Sequence, residues 1–235
     1  MSISINNIAI VRDKKQLYSN FSLHVASEKV TCAIAPSGSG KTTLLCCIAG
    51  TLRNALAEGS ILFNGAAARP SISFLFQEPR LIPSATVLQN VMLPLVNVMS
   101  KEAAKLRALH FLENVELGDK CASFPDELSG GEAQRVAVAR SFAFPSSVLL
   151  LDEPFQSQDL KIKLHLIKIT QRLLAIEKRT VFFVTHDPKE AVLLSDRILI
   201  LAGTPLKIIF DEQNIRKNDA ELENTIASLV VHSAI

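Results

Sequence analysis

The residues Ala35-Pro36-Ser37-Gly38-Ser39-Gly40-Lys41-Thr42-Thr43 follow the apolar run Val30-Thr31-Cys32-Ala33-Ile34 and open a helix-compatible segment over residues 42–49. Strand, glycine-rich turn, helix start is the order that a phosphate-cradling loop requires. Successive backbone N–H groups surround the phosphates, the helix N-terminus adds positive potential, and Lys41 reaches the terminal phosphates. Thr42 is placed to hold a magnesium ion through its hydroxyl. The competing reading is a polar turn before an ordinary helix. The strict form of the loop has glycine where this chain has Ala35, and a methyl on a backbone of positive φ costs ~1–2 kcal/mol.

Two further stretches bear on the choice. Val148-Leu149-Leu150-Leu151-Asp152-Glu153 sets two carboxylates at the end of a buried strand, about 110 residues after Lys41. An isolated Asp-Glu pair at a strand end is commonly a solvated turn, but this one falls at the carboxyl edge where parallel sheets bind ligands. Asp152 is suited to hold Mg²⁺ and Glu153 to orient or deprotonate the water that attacks a γ-phosphate. Two acids are needed because a carboxylate neutralised by metal is a poor base. Leu128-Ser129-Gly130-Gly131-Glu132-Ala133-Gln134-Arg135 then introduces a helix to about Ala143. Ser129 and Glu132 are spaced as a capping box, which needs no ligand. The box does not explain Gly130-Gly131, since glycine in a helix costs about 1 kcal/mol relative to alanine. Ser129, Gly130 and Gly131 fit a second phosphate clamp. One triphosphate does not need two clamps from one side of one chain, and two copies facing head to tail would supply one each.

The elements around these stretches alternate in type. Residues 3–34 are β-rich, with Ile3, Ile5, Ile8 and Ile10 marking one strand and Phe21, Leu23 and Val25 another. A helix ending near Gly50, a short strand Ile61-Leu62-Phe63 with an Asn64-Gly65 turn, and a strand over residues 72–76 follow. Residues 86–117 are helical in texture, and Leu106, Leu109, His110, Leu112 and Val115 are assigned to one packed face, with His110 a core or boundary residue rather than a ligand. Strands at 148–151 and 180–184 flank a helix over 160–176, so parallel strands with right-handed crossovers are expected. Residues 198–201 and 206–210 form a closing hairpin. The fold class is α/β.

Composition narrows the function classes. With 235 residues, 48% hydrophobic and 20% charged, the chain suits one core with subdomains. A net charge of +2 gives no reason to expect nucleic acid. No apolar run approaches the ~20 residues of a membrane helix, and residues 1–11 carry no secretory pattern, so work at a membrane would go through a partner. Cys32, Cys46, Cys47 and Cys121 match no zinc spacing and are expected as free thiols in a reducing cytoplasm.

Together these residues resemble the ATP-binding subunits of ATP-binding-cassette transporters over nearly the whole chain, and the Leu-Ser-Gly-Gly-Glu stretch is the family-specific part. The resemblance implies a P-loop nucleotide hydrolase core with a parallel sheet, an N-terminal antiparallel β-subdomain and a helical subdomain at about 84–144, all in one domain spanning 1–235. It implies ATP on Pro36, Ser37, Gly38, Ser39, Gly40, Lys41, Thr42 and Thr43, with Mg²⁺ on Thr42, Gln77 and Asp152. Gln77 matches the glutamine that contacts metal and water and reports to the membrane domain, and His186 of Thr185-His186-Asp187 matches the histidine on the γ-phosphate. The catalytic set is then Glu153, His186, Gln77 and Lys41, with Asp159 bridging two protomers. The family stacks adenine on an aromatic residue near positions 11–13. This chain has Val11, Arg12 and Asp13 there, so Arg12 is assigned to the base. Tyr18 falls too late in the chain for that role, and Gln156-Ser157-Gln158-Asp159 is more polar than the family's pattern.

Residues 78–95 most resemble importers of the nitrate, sulfonate and taurine type. The resemblance implies a homodimer or a pairing with a similar subunit, integral membrane permease subunits, a solute-binding protein, no nucleic acid, and a place on the cytoplasmic face of the cell membrane. A lipoprotein-release or cell-division ATPase of the same fold, or a weakly active scaffold, are the alternatives. Intact Lys41, Asp152, Glu153 and His186 argue against the scaffold.

Overall fold

The computed structural model describes residues 1–52, 55–156, 159–214 and 219–233. In chain order the first elements are β1 (Ile3–Arg12), β2 (Lys15–Val25), β3 (Val30–Ile34), α1 (Lys41–Ala49), β4 (Leu56–Phe63) and β5 (Ile72–Leu75). Helices α2 (Val87–Met92), α3 (Lys101–Asn114) and α4 (Gly130–Ala143) follow, then β6 (Val148–Asp152) and α5 (Leu160–Ile176). The chain continues through β7 (Thr180–Thr185), α6 (Pro188–Leu194), β8 (Arg197–Ala202), β9 (Lys207–Gln213) and α7 (Ala220–Ser233). These elements form two compact units, one of Met1–Ile72, Ser147–Glu153 and Lys178–Ile235, the other of Ser73–Ser146 and Pro154–Glu177.

The first unit holds two sheets. One is antiparallel in the order β2-β1-β4. Ile3, Ile5, Ile8 and Ile10 are all buried in it, although the step from Ile5 to Ile8 breaks a strict period of two. A register shift between Ile5 and Ile8, with Asn7 at φ 47°, absorbs the extra residue and returns the later isoleucines to the core. Gly59 on β4 makes this irregularity possible. Its φ is +82°, and a Cβ there would lie 2.5 Å from the Asn6 carbonyl oxygen. The strand that contains Ile61 to Phe63 therefore begins earlier, at Leu56, in residues too polar to read as strand.

The other sheet of this unit runs β6-β7-β3-β8-β9. β6 with β7, β7 with β3 and β3 with β8 are parallel, and β8 with β9 is the expected antiparallel hairpin. β3, β6 and β7 are buried at every residue, the pattern of strands covered on both faces. Helix α1 packs on β6, α6 on β3, and α7 on α6 and β8.

The second unit is mainly helical, with α2, α3 and α4 in mutual contact and α5 against α4. Buried Asn90 ties the chain ahead of α2, accepting from the Ile82 amide at 2.7 Å and donating to the carbonyls of Ile82 (3.2 Å) and Ala85 (3.0 Å). The expected packed face of α3 needs correction. Leu106 is 70% exposed and His110 is also exposed, while Ala104, Ala108, Phe111, Leu112 and Val115 are buried. Alanines at that spacing let α3 approach its neighbours closely, and the stripe through them turns Leu106 outward. Arg107, half-buried, donates from Nε to the Ala143 carbonyl at 2.5 Å and pairs with Glu177 at 2.7 Å.

Gly59→Ala should cost about 2 kcal/mol or more, because it combines a left-handed φ with a backbone clash. Urea unfolding of the variant against wild type measures it, and an unchanged midpoint would show that the β1 irregularity relaxes freely.

Candidate functional site

Parallel pairing places three loops side by side in the first unit. Ile34 of β3 stands opposite Thr185 of β7, and Asp152 of β6 opposite Val184. The chain therefore leaves β3 into residues 35–40, β6 into Glu153 and β7 into His186 at one sheet edge. Lys41, only 4% exposed, donates from Nζ to the carbonyls of Ala35 (2.7 Å) and Pro36 (2.9 Å). The same Nζ lies 3.1 Å from Oε1 of buried Glu153, whose Oε2 lies 2.7 Å from Nδ1 of half-exposed His186. Glu153 adopts a left-handed φ of 44° and its amide donates to the Val184 carbonyl at 2.9 Å. A non-glycine residue in that region stores strain, and the file Lys41, Glu153, His186 holds it there.

The loop is shaped to receive an anion. Gly38 and Gly40 have φ of +73° and +109°, and a Cβ on Gly40 would meet Leu17 Cδ1 at 3.0 Å. Gly40 is the N-cap of α1 and supplies no side-chain acceptor to the amides of the first turn. Those donors and the buried Ser39 hydroxyl, which has no hydrogen-bond partner, form a cradle of the kind that phosphate oxygens satisfy. Exposed Thr42 opens the helix, and Asp152, 3% exposed, closes β6. Hydroxyl and carboxylate are hard oxygen donors and suit Mg²⁺. Among the described residues no group of three His, Cys, Asp or Glu side chains forms a metal cage; an ion held here would take its remaining ligands from phosphate and water.

Ala35 has no positive φ, is 1% exposed and donates its amide to the Thr185 carbonyl at 3.3 Å. The methyl therefore sits in strand-like backbone, and the cost attached to a left-handed alanine does not arise. Arg12 reaches α1, donating from Nη1 to Thr43 Oγ1 at 3.3 Å. Tyr18 is fully buried, its ring edge-on to Phe21 and its hydroxyl 3.4 Å from the Gly40 carbonyl, so it supports the loop from within the core. Burial raises its phenol pKa far above the ordinary value.

The second unit carries the remaining candidates. Gln77 follows β5, is exposed, and donates from Nε2 to Oε1 of Gln156. Ser129 caps α4 as the spacing predicts: its hydroxyl accepts from the Glu132 amide at 3.3 Å, and the Glu132 carboxylate accepts from the Ser129 amide at 2.8 Å. Hydrogen bonds from the Ser129 amide and hydroxyl, with a smaller contribution from Lys120, hold the Glu132 carboxyl down at about 2. Ser129 and Gly130 are exposed, and a Cβ on Gly130 would meet nothing within 4 Å. Own-chain packing therefore gives no reason for glycine at 130. Asp159 caps α5, accepting from the amides of Lys161 (2.9 Å) and Ile162 (3.0 Å), while Ser157 and Gln158 lie outside the described residues.

Sequence reasoning missed three positioning residues in this unit. Arg140 donates to the carbonyls of Pro79 and Arg80, and so anchors the chain just after Gln77. Gln134, 3% exposed, donates to the Pro154 carbonyl at 2.7 Å. Lys120 lies 3.3 Å from Oε1 of Glu132. Gln134 alone left a signal, a polar residue among the apolar positions of a buried helix.

A protein-family model described as ABC transporter matches residues 18–156. The aliphatic sulfonates import ATP-binding protein SsuB of Delftia acidovorans is 40% identical over 187 residues, covering 80% of this chain and 74% of that protein. An SsuB of Bacillus cereus is 38% identical over 215 residues, covering 88% and 84%. The sulfate/thiosulfate import ATP-binding protein CysA of Photorhabdus laumondii is 35% identical over 226 residues, but the chain spans only 62% of its length. Among solved structures, the dimeric post-hydrolysis state of the ATP-binding cassette MJ0796 bound to ADP and Pi superposes with a TM-score of 0.77 at 28% identity, covering 91% of this chain and 99% of that one.

Two measurements probe this geometry. Ala35→Gly should lower stability by about 0.4–1 kcal/mol through unfolded-chain entropy and leave nucleotide affinity unchanged; a clear gain in affinity on titration would mean that the loop does need a left-handed residue there. The depressed Glu132 carboxyl contributes stability that is complete above the ordinary carboxylate range and is lost as pH falls toward about 2. Glu132→Gln should remove that acid-side slope from urea midpoints measured against pH, and an identical slope in both proteins would place the titration elsewhere.

Proposed function

The chain belongs to the ABC transporter family and is an ATPase that works with ATP and Mg²⁺; from that premise we propose that it dimerises head to tail around two ATP and drives a membrane permease that imports a small anion of the nitrate, sulfonate or taurine type. The observation that carries the reading is the convergence of Lys41, Glu153 and His186 at the sheet edge, beside a loop whose first helical turn has no side-chain cap. The named sulfonate and sulfate import proteins support the importer and the anion.

Each residue takes a role from its chemistry. Lys41 brings a desolvated positive charge to the β- and γ-phosphates, and residues 36–43 offer them amide donors. Arg12, beside α1, lies flat against the base. Glu153 accepts the proton of the water that attacks the γ-phosphorus, ADP departs with the bridging oxygen, and inorganic phosphate is released. His186 keeps the Glu153 carboxylate turned toward that water and donates to the γ-phosphate. Thr42 and Asp152 would hold magnesium, which would supply charge to the phosphate oxygens when bound.

Ser129, Gly130 and Gly131 act on ATP held by a second copy. The exposure of Ser129 and Gly130, and the open space at the Gly130 Cβ position, support a surface that something outside the chain closes. The dimeric MJ0796 cassettes support a two-copy assembly. The permease docks near residues 77–95, where Ile82 and Leu93 are exposed, and Val96 and Val98 extend the apolar surface. No helix among the described residues is long and apolar enough to cross a membrane, and the chain works as a peripheral subunit on the cytoplasmic face, with a solute-binding protein delivering cargo on the other.

Glu153→Gln should lower turnover by about 10²–10⁴-fold, the range for removing a general base, and trap an ATP-loaded dimer on gel filtration. A variant that stays monomeric with full turnover would overturn both the base assignment and the shared pocket.

A further inference from the structure

Glu132 is tied to the signature serine more closely than a helix cap needs. Its Oε2 accepts from both the amide and the hydroxyl of Ser129 at 2.8 Å, so the Ser129 proton is committed to Glu132. The result is a full negative charge beside the helix end that is read as a phosphate clamp, and an anion there opposes an incoming phosphate. The other oxygen, Oε1, faces Lys120 at 3.3 Å, at the end of the short helical turn Gly118–Lys120. The pair is partly exposed, 34% for Lys120 and 21% for Glu132, so screening leaves it little weight in folding stability. Its position is what gives it consequence.

We propose that Lys120 is a positioning residue for ATP capture. It offsets the Glu132 charge and holds Oε1, so that Oε2 stays on Ser129 and the serine meets the γ-phosphate in one orientation. The inference rests on the reading of residues 129–131 as the clamp for ATP bound by a second copy. Lys120 touches no substrate and acts only through Glu132. Both glutamate oxygens are then accounted for: one orients the serine, the other receives the compensating charge.

The test is steady-state ATP hydrolysis by the full chain. Lys120→Ala should raise KM for ATP by about five-fold, the scale of a partly screened ion pair, with kcat at saturating ATP changed by less than about two-fold. Lys120→Arg should restore KM. In a Glu132→Gln background, Lys120→Ala should have no further effect, because no charge is left to offset. An unchanged KM, or an equal loss with and without Glu132, would overturn the proposal. Amide hydrogen exchange without nucleotide separates this inference from the reading beneath it. Lys120→Ala should speed exchange at Glu132, whose amide donates to Ser129 Oγ. Unchanged exchange overturns the Lys120 assignment, whereas a Gly130→Val variant that keeps the wild-type KM and kcat overturns the clamp reading, since a Cβ there meets nothing within 4 Å in its own chain.

Discussion

The site depends on the parallel registration of β6, β7 and β3. Parallel strands cannot be joined by a tight turn, so each connection must travel back to the starting edge, and the exits of adjacent strands necessarily lie together. Residues separated by more than a hundred positions, Lys41 and Glu153, thereby meet at 3.1 Å. The apolar side chains that bury these strands on both faces hold the register, and a slip by one residue would turn Asp152 and Glu153 to opposite sides.

Burying Lys41 and Glu153 removes two charges from water, a cost of several kcal/mol each that pairing alone does not reliably offset. Here the ammonium also donates to two loop carbonyls and the carboxylate also meets His186. An anion that reaches Lys41 meets a cation already stripped of its hydration, so the interaction is stronger than at the surface. The same network links the charge on the loop to the carboxylate beside it. Loop shape, strand exit and histidine thus act as one unit.

The second unit is held in a different way. Hydrogen bonds from single side chains fix its loops and helix starts: Asn90 of α2 holds the chain ahead of that helix, Arg140 holds the chain after Gln77, and Ser129 with Glu132 caps α4. Alanines at 104 and 108 bury where Leu106 does not, because closeness between helices there depends on small side chains. Hydrophobicity alone misassigned that face.

What the sequence by itself determined was local: the strand, loop and helix order around Lys41, the capping box of Ser129 and Glu132, the apolar runs of the parallel strands and the family resemblance. Each is written in neighbouring residues whose spacing matches a backbone period or a capping geometry. Tertiary structure decided the rest. It set the backbone of Ala35, took Tyr18 into the core, gave Gly59 its necessity and brought Lys120 to Glu132. Those outcomes depend on contacts between residues distant in the chain, and a one-dimensional pattern carries no record of which distant atoms will occupy the same space.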